Sequence, residues 1–156
     1  ITAFYNVLVD SDDMNEPITD AVRGILDGHI VLSRKLAQAY HYPAIDVLAS
    51  ISRLSKRVSG KMTQKACATI RTLMATYQNN EAAIVSGIYA KGNSPAIDEA
   101  IDMHQPIEEF LTQEEYEPSS MKDTLDKLAS LSGVKIPETE YVEAPALVVS
   151  EPVENE

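Results

Sequence analysis

The chain has only one cysteine. Cys67 stands alone among 156 residues, so no internal disulfide can form. With no secretory signal pattern and no long apolar run in the sequence, a reducing cytosol is the expected setting. Cys67 sits among Ala66, Ala68 and Ile70 and reads as a small core residue, not a nucleophile. A phosphate-binding loop is also missing. The pattern G-x-x-x-x-G-K-[ST] needs a glycine five positions before a Gly-Lys pair and a hydroxyl after it. Gly60-Lys61 has Ser55 where that glycine belongs and Met62 where the hydroxyl belongs. Hydrolysis of a nucleoside triphosphate by this polypeptide alone is therefore not expected. His29, His41 and His104 lie far apart with no Cys or His at ligand spacing, so no metal site is expected. His29, within a strand pattern, reads as a satisfied core histidine. No G-x-S-x-G nucleophile elbow occurs either.

Acidic residues are missing between Asp46 and Glu81, where Arg53, Lys56, Arg57, Lys61, Lys65 and Arg71 bring six positive charges. Such a run is a solvated face, or a means of holding polyphosphate or an acidic partner segment. The negative charge collects elsewhere. Of the net −11, the stretch from Glu114 to Glu156 carries −8, from 11 acidic and 3 basic residues. Long-range repulsion from an acidic chain argues against nucleic acid as a partner.

Strand and helix patterns alternate over the first third. Ile1 to Val9 is short, β-branched, aromatic and almost wholly apolar, which suits a strand covered on both faces in a parallel sheet. It starts without a cap or turn, as if cut from a larger sheet domain. Asp10 to Pro17 is a polar loop. Ile18 to Asp27 has helical spacing at Ile18, Ala21, Val22, Ile25 and Leu26, and Gly28 ends it. His29 to Leu32 reads as a second buried strand. Arg34 to Tyr40 reads as a short helix that Pro43 cannot continue. Beyond Gly60 the period becomes helical throughout. Met62, Ala66, Ile70, Leu73, Met74 and Tyr77 recur at three and four residues, and Ile84, Val85 and Ile88 continue the core face. Ser94 and Pro95 mark a new helix start, with Ile97, Ala100, Ile101 and His104 inward. Pro106 kinks that helix or opens another holding Ile107, Phe110 and Leu111. Past Glu117 the pattern fades. Residues 120–132 allow one more short helix, with Met121, Leu125 and Leu128 inside and Gly133 as its stop. From Ile136 onward the Pro, Glu and Val content predicts disorder, or order only on a partner.

The most informative stretch is Tyr42 to Arg53, where an aromatic, a proline and a lone arginine bracket an apolar run, Val47-Leu48-Ala49-Ser50-Ile51. The guanidinium fork suits a phosphate group. Spacing alone favours a surface arginine after a buried segment, and equally allows a core tyrosine beside a turn. Taken with Asp12-Asp13-Met14-Asn15-Glu16-Pro17 and with Ile25 to Ala37, the stretch resembles the flagellar and type III secretion ATPases, relatives of the rotary ATP synthase catalytic subunits. The resemblance runs from Ile1 to about Gln113.

That resemblance implies an α/β fragment, the C-terminal part of a RecA-like P-loop nucleotide-binding domain (1–58), followed by a small all-α C-terminal domain (59–116). An acidic, disordered tail (117–156) lies beyond it. It implies that the phosphate loop, the catalytic glutamate and the magnesium-holding aspartate precede Ile1, so ATP and Mg are bound mainly outside this sequence. Arg53 matches the arginine that reaches into a neighbouring subunit's site, and Tyr42 matches the aromatic packed on adenine. Asp12, Asp13, Asn15 and Glu16 match a loop turned towards the ring's central channel, where a basic stalk would run; a solvated turn is the plain alternative. One chain with both half-sites implies a homohexamer. The expected partners are a central stalk protein, export chaperones and substrates, and a negative regulator. The expected place is the cytoplasmic face of a membrane export gate. Asn79 to Ile84 and Ile97 to Leu111 resemble the export branch more than the synthase branch. A virulence-type secretion ATPase, a rotary ATP synthase subunit and a pure docking module remain as alternatives.

Overall fold

The computed structural model describes residues 5–8 and 17–141, and the chain divides into two compact units, Ile1–Val58 and Ser59–Glu156. In the first unit, α1 (Pro17–Ile25) leads to β1 (Gly28–Leu32), α2 (Arg34–Gln38), β2 (Ile45–Ser52) and a single turn, α3 (Ser55–Val58). Pro17 opens α1 at a position where its missing N–H costs nothing. Ser33 starts α2 by accepting the Leu36 N–H on its hydroxyl. Of the strand expected over residues 1–9, Tyr5–Leu8 is irregular and exposed, and the rest lies outside the described residues.

The two strands pair antiparallel. Gly28 faces Ser52 and Leu32 faces Ile45, but the register shifts between His29 and Val31. Across that shift β2 bulges, and its own polar side chains close the gap. The Ser50 hydroxyl accepts the Val31 N–H at 3.0 Å and donates to the Asp46 carbonyl at 2.6 Å. The Asp46 carboxylate accepts the Ala49 N–H at 2.8 Å. Gly28 is required where the ladder is tight, because a Cβ there would lie 2.7 Å from the Ile51 carbonyl oxygen. β1 is not the fully buried strand its composition suggested. Ile30 and Leu32 are 71% and 70% exposed, since side chains alternate and one face has no covering layer among the described residues. His29 also departs from expectation: its ring Nε2 is buried with no hydrogen-bond partner among the described residues, next to the break in register.

The second unit is helical: α4 (Lys61–Val85), α5 (Pro95–Leu111), α6 (Met121–Ser132) and a 3-10 turn (Glu138–Glu140). Ala66, Ile70 and Leu73 form one stripe of α4 and bury against Ala100 and Ile107 of α5 and Leu125 and Leu128 of α6. Val134 and Ile136 complete the core. Tyr77 stacks on His104, with ring centroids 3.6 Å apart. Pro106 neither ends nor restarts the helix. It leaves the Asp102 carbonyl without its helical donor, yet α5 continues because Ala100 before it and Ile107 after it are buried in the same core. Ser94 occupies the N-cap of α5 without a side-chain bond; Asp98 instead reaches back to the Gly92 N–H and the Tyr89 hydroxyl. Ser120 caps α6 through the Asp123 N–H, and Gly133, at φ 65°, stops it in the left-handed region.

Four residues read as apolar core are corrected. Cys67 is exposed, because one step beyond fully buried Ala66 turns the side chain about 100° around the helix. Val85 and Ile88 are 76% and 80% exposed, since α4 ends at Ser86 and Gly87, at φ 72°, redirects the chain. Met121 is exposed in the first turn of α6. The onset of patternless sequence also shifts. Ile136 is 6% exposed and the chain is placed through Tyr141, because the segment after α6 folds back over the helices. Residues 142–156 lie outside the described residues.

Candidate nucleotide-contact site

Arg53 follows directly on β2, and its position is fixed by backbone. Its N–H donates to the Asp27 carbonyl at 2.8 Å, which closes the strand pair beyond Gly28 and Ser52. The side chain is exposed. Its Nη1 and Nη2 rest on the carbonyls of Gly24 and Arg23 at 3.5 and 3.4 Å, at the C-terminal end of α1. Both contacts are at the long limit of a hydrogen bond. The carbonyl end of a helix attracts a cation, though weakly at an exposed site. A guanidinium stays charged at any physiological pH. The result is a permanent cation, anchored through its backbone and loosely held at its tip. Such a group is suited to transfer onto a stronger anion.

Tyr42 lies at the other end of β2, before the strand begins at Ile45. The residue is 51% exposed, unlike a core tyrosine, and its bond to Pro43 is cis. Neighbouring Tyr40 is 87% exposed, with φ at 58°. The two candidate residues thus sit at opposite ends of one strand, and no contact among the described residues brings them together. Asp12, Asp13, Asn15 and Glu16 lie outside the described residues. Among the described residues no group of three His, Cys, Asp or Glu could hold a metal ion. No helix among them is long and apolar enough to cross a membrane.

Sequence reading missed the pair that shapes β2, Asp46 and Ser50. An aspartate bonding the backbone N–H three residues on is a local turn signature, so the signal was present within an apolar run.

Two family descriptions match the chain, one after the other. Residues 1–52 match the ATP synthase alpha/beta family, nucleotide-binding domain, and residues 60–130 match the type III secretion EscN ATPase C-terminal domain. The flagellum-specific ATP synthase of Treponema pallidum is 51% identical over 136 residues, covering 87% of this chain and 30% of that protein. The chain belongs to the flagellar and type III secretion ATPase family. A type 3 secretion system ATPase of Pseudomonas syringae pv. syringae is 47% identical over 138 residues, covering 88% of the chain and 30% of its own length. Among solved structures, the assembled ATPase EscN of enteropathogenic E. coli superposes with a TM-score of 0.77 at 42% identity, covering 81% of this chain and 31% of that one. The same ATPase is also solved in complex with its central stalk EscO; it matches at 41% identity and a TM-score of 0.70, over 74% of this chain and 29% of that one. The chain thus spans about 30% of the length of the relatives it matches.

Proposed function

We propose that the protein containing this chain is an ATPase that couples ATP hydrolysis to export of flagellar proteins through a type III secretion apparatus. The observation that carries this reading is the order of the two matches. A nucleotide-binding segment shared with ATP synthases runs into a helical domain described for secretion ATPases. The second match favours export over a rotary synthase. Between branches, flagellar relatives at 44–51% identity overlap virulence-type relatives at 42–48%, and the flagellar branch is the one proposed.

In this reading the chain divides after Val58 into the end of a nucleotide-binding domain and a helical C-terminal domain. ATP and Mg are bound mainly by sequence preceding Ile1, and the chain alone does not hydrolyse ATP. Tyr42 packs on the adenine of its own subunit's nucleotide. Arg53 acts in trans: as the γ-phosphoryl group transfers to water, the guanidinium leaves the α1 carbonyls and neutralises charge on the equatorial oxygens in the neighbouring site. Their placement at opposite ends of β2 supports this division of labour, which requires neighbouring copies of one chain, a homohexamer in this reading. The Asp12, Asp13, Asn15 and Glu16 loop meets a basic central stalk. The helical domain presents export chaperones with their substrates and receives a negative regulator, at the cytoplasmic face of the export gate.

The test is deletion of the gene, scored for swimming and for secreted protein. Loss of filaments, with hook and filament subunits stranded in the cytosol, is the expected result. Intact motility with failed effector export would move the reading to the virulence branch. Intact export with failed membrane energetics would move it to a rotary ATPase.

A further inference from the structure

Gly60 is the N-cap of the longest helix and has no side chain with which to cap it. Gln64 is the first residue of α4 to bond back, to the Gly60 carbonyl at 3.0 Å, so the N–H groups of Lys61, Met62 and Thr63 need acceptors from outside the helix. Glu140 meets that need for Met62 and Thr63, two of the three, from 78 residues beyond Met62. Its Oε1 accepts the Met62 N–H at 3.0 Å, and its Oε2 accepts both the Thr63 N–H and the Thr63 hydroxyl at 2.8 Å. These are the second and third helical positions, the two amides that a serine or aspartate at the N-cap would serve. A Cβ on Gly60 would collide with the Glu140 Cγ, Cδ and Oε2, so the missing cap and the distant carboxylate require one another.

The segment carrying Glu140 is held in two different ways. Val134 and Ile136 are buried in the helical core. From Pro137 onward the grip is polar: the Glu140 contacts, and the Tyr141 hydroxyl donating to Asp126 of α6 at 2.5 Å. The Thr63 N–H, ahead of the smaller share from Met62, holds the Glu140 carboxyl below its ordinary range, as expected of a group bound in its charged form. Glu140 and Tyr141 also lie past residue 130, where the match to the secretion ATPase C-terminal domain ends.

We propose that Pro137–Tyr141 is a releasable strap whose Glu140 carboxylate supplies the N-cap that α4 lacks. Order in the first turn of α4, directly after the boundary at Val58 and Ser59, then depends on whether the strap is docked. Docked, the strap closes the entry to the helical unit. Released, it leaves Met62 and Thr63 with water as their only acceptor, while the core around Ile70 and Leu73 stays closed.

Amide hydrogen exchange on the full chain tests this. In Glu140→Ala, the Met62 and Thr63 amides should exchange about tenfold faster or more, with Ile70, Leu73 and Ile107 unchanged, as for a local opening. Gly60→Ser separates the strap from the helix. The serine hydroxyl caps α4 itself and takes the space of the carboxylate, so Met62 and Thr63 should stay protected while the Glu140 and Tyr141 amides lose protection. The strap is overturned if Glu140→Ala leaves Met62 and Thr63 unchanged, or if α4, α5 and α6 all exchange faster together. It is equally overturned if Gly60→Ser leaves the strap amides protected.

Discussion

A guanidinium held by two carbonyl contacts of 3.4 and 3.5 Å is easily drawn away, whereas its backbone N–H, at 2.8 Å from the Asp27 oxygen, is not. This asymmetry fits the role proposed for Arg53, because an arginine finger needs a fixed base and a movable tip. Arg53→Ala in the full-length protein should lower kcat by about 10³-fold or more, while ATP affinity and assembly persist. Arg53→Lys should not restore it, since an ammonium is a point charge and cannot offer two parallel donors. Single-turnover hydrolysis alongside equilibrium ATP binding checks both, and normal turnover in the alanine variant would remove the assignment. In the proposed role Tyr42 would act on binding, not on the chemical step. Losing a stacked base contact costs about 1–3 kcal/mol, so Tyr42→Ala should raise KM for ATP by about 5- to 150-fold with kcat largely kept. Tyr42→Phe keeps the π-face and should match wild type. A loss confined to kcat would place the ring elsewhere.

At the scale of elements, helix ends and register decide what each segment contributes. Glu140 is bound as a carboxylate and its folded-state pKa is depressed, so its contribution is complete above the ordinary glutamate value of 4.5 and is lost as pH falls through the lower folded value. Asp123, lowered chiefly by the Ser120 hydroxyl at the start of α6, titrates in the same direction. The first turn of α4 should therefore be protected at neutral pH, begin to weaken below about 4.5, and open only as pH falls through the lower folded value. Following the Thr63 amide by NMR across that range checks this, and in Glu140→Gln that acid transition should be absent. Much of the helical unit was legible in the sequence because its information is local. The spacing of Ala66, Ile70 and Leu73, and the bracket of Ser120 and Gly133 around α6, each lie within one element. The α4 cap was not legible, because glycine at an N-cap says nothing about a carboxylate 78 residues away. The pairing of β1 with β2 was hidden for a related reason. An apolar run predicts a strand but not its direction, and the bulge closed by Asp46 and Ser50 belongs to the pair, not to either strand. Of the candidate site, Arg53 and Tyr42 were legible only through resemblance, since composition alone allowed a plain surface arginine and a core tyrosine.

For the whole molecule, charge distribution sets what the assembly attracts. The basic stretch from Arg53 to Arg71 is followed by a strongly acidic C-terminal third, while Asp12, Asp13 and Glu16 concentrate negative charge near the start of the chain. A ring would present that early loop as a repeated set of carboxylates. A basic stalk in the channel would feel their summed field, and such a field is screened within about 8 Å at physiological salt. Contact of this kind transmits force only while the stalk is close, so it should affect coupling more than chemistry. Reversing both charges, Asp12→Lys with Asp13→Lys, should therefore lower the ratio of stalk-stimulated to basal ATP turnover in the full-length protein. The effect should shrink as salt is raised, because screening removes the attraction in the native protein and the repulsion in the variant alike. Turnover measured with and without the stalk, at low and high salt, decides between contact and a merely solvated turn. Equal loss of both rates at every salt concentration would mean that the loop supports the fold and not the coupling.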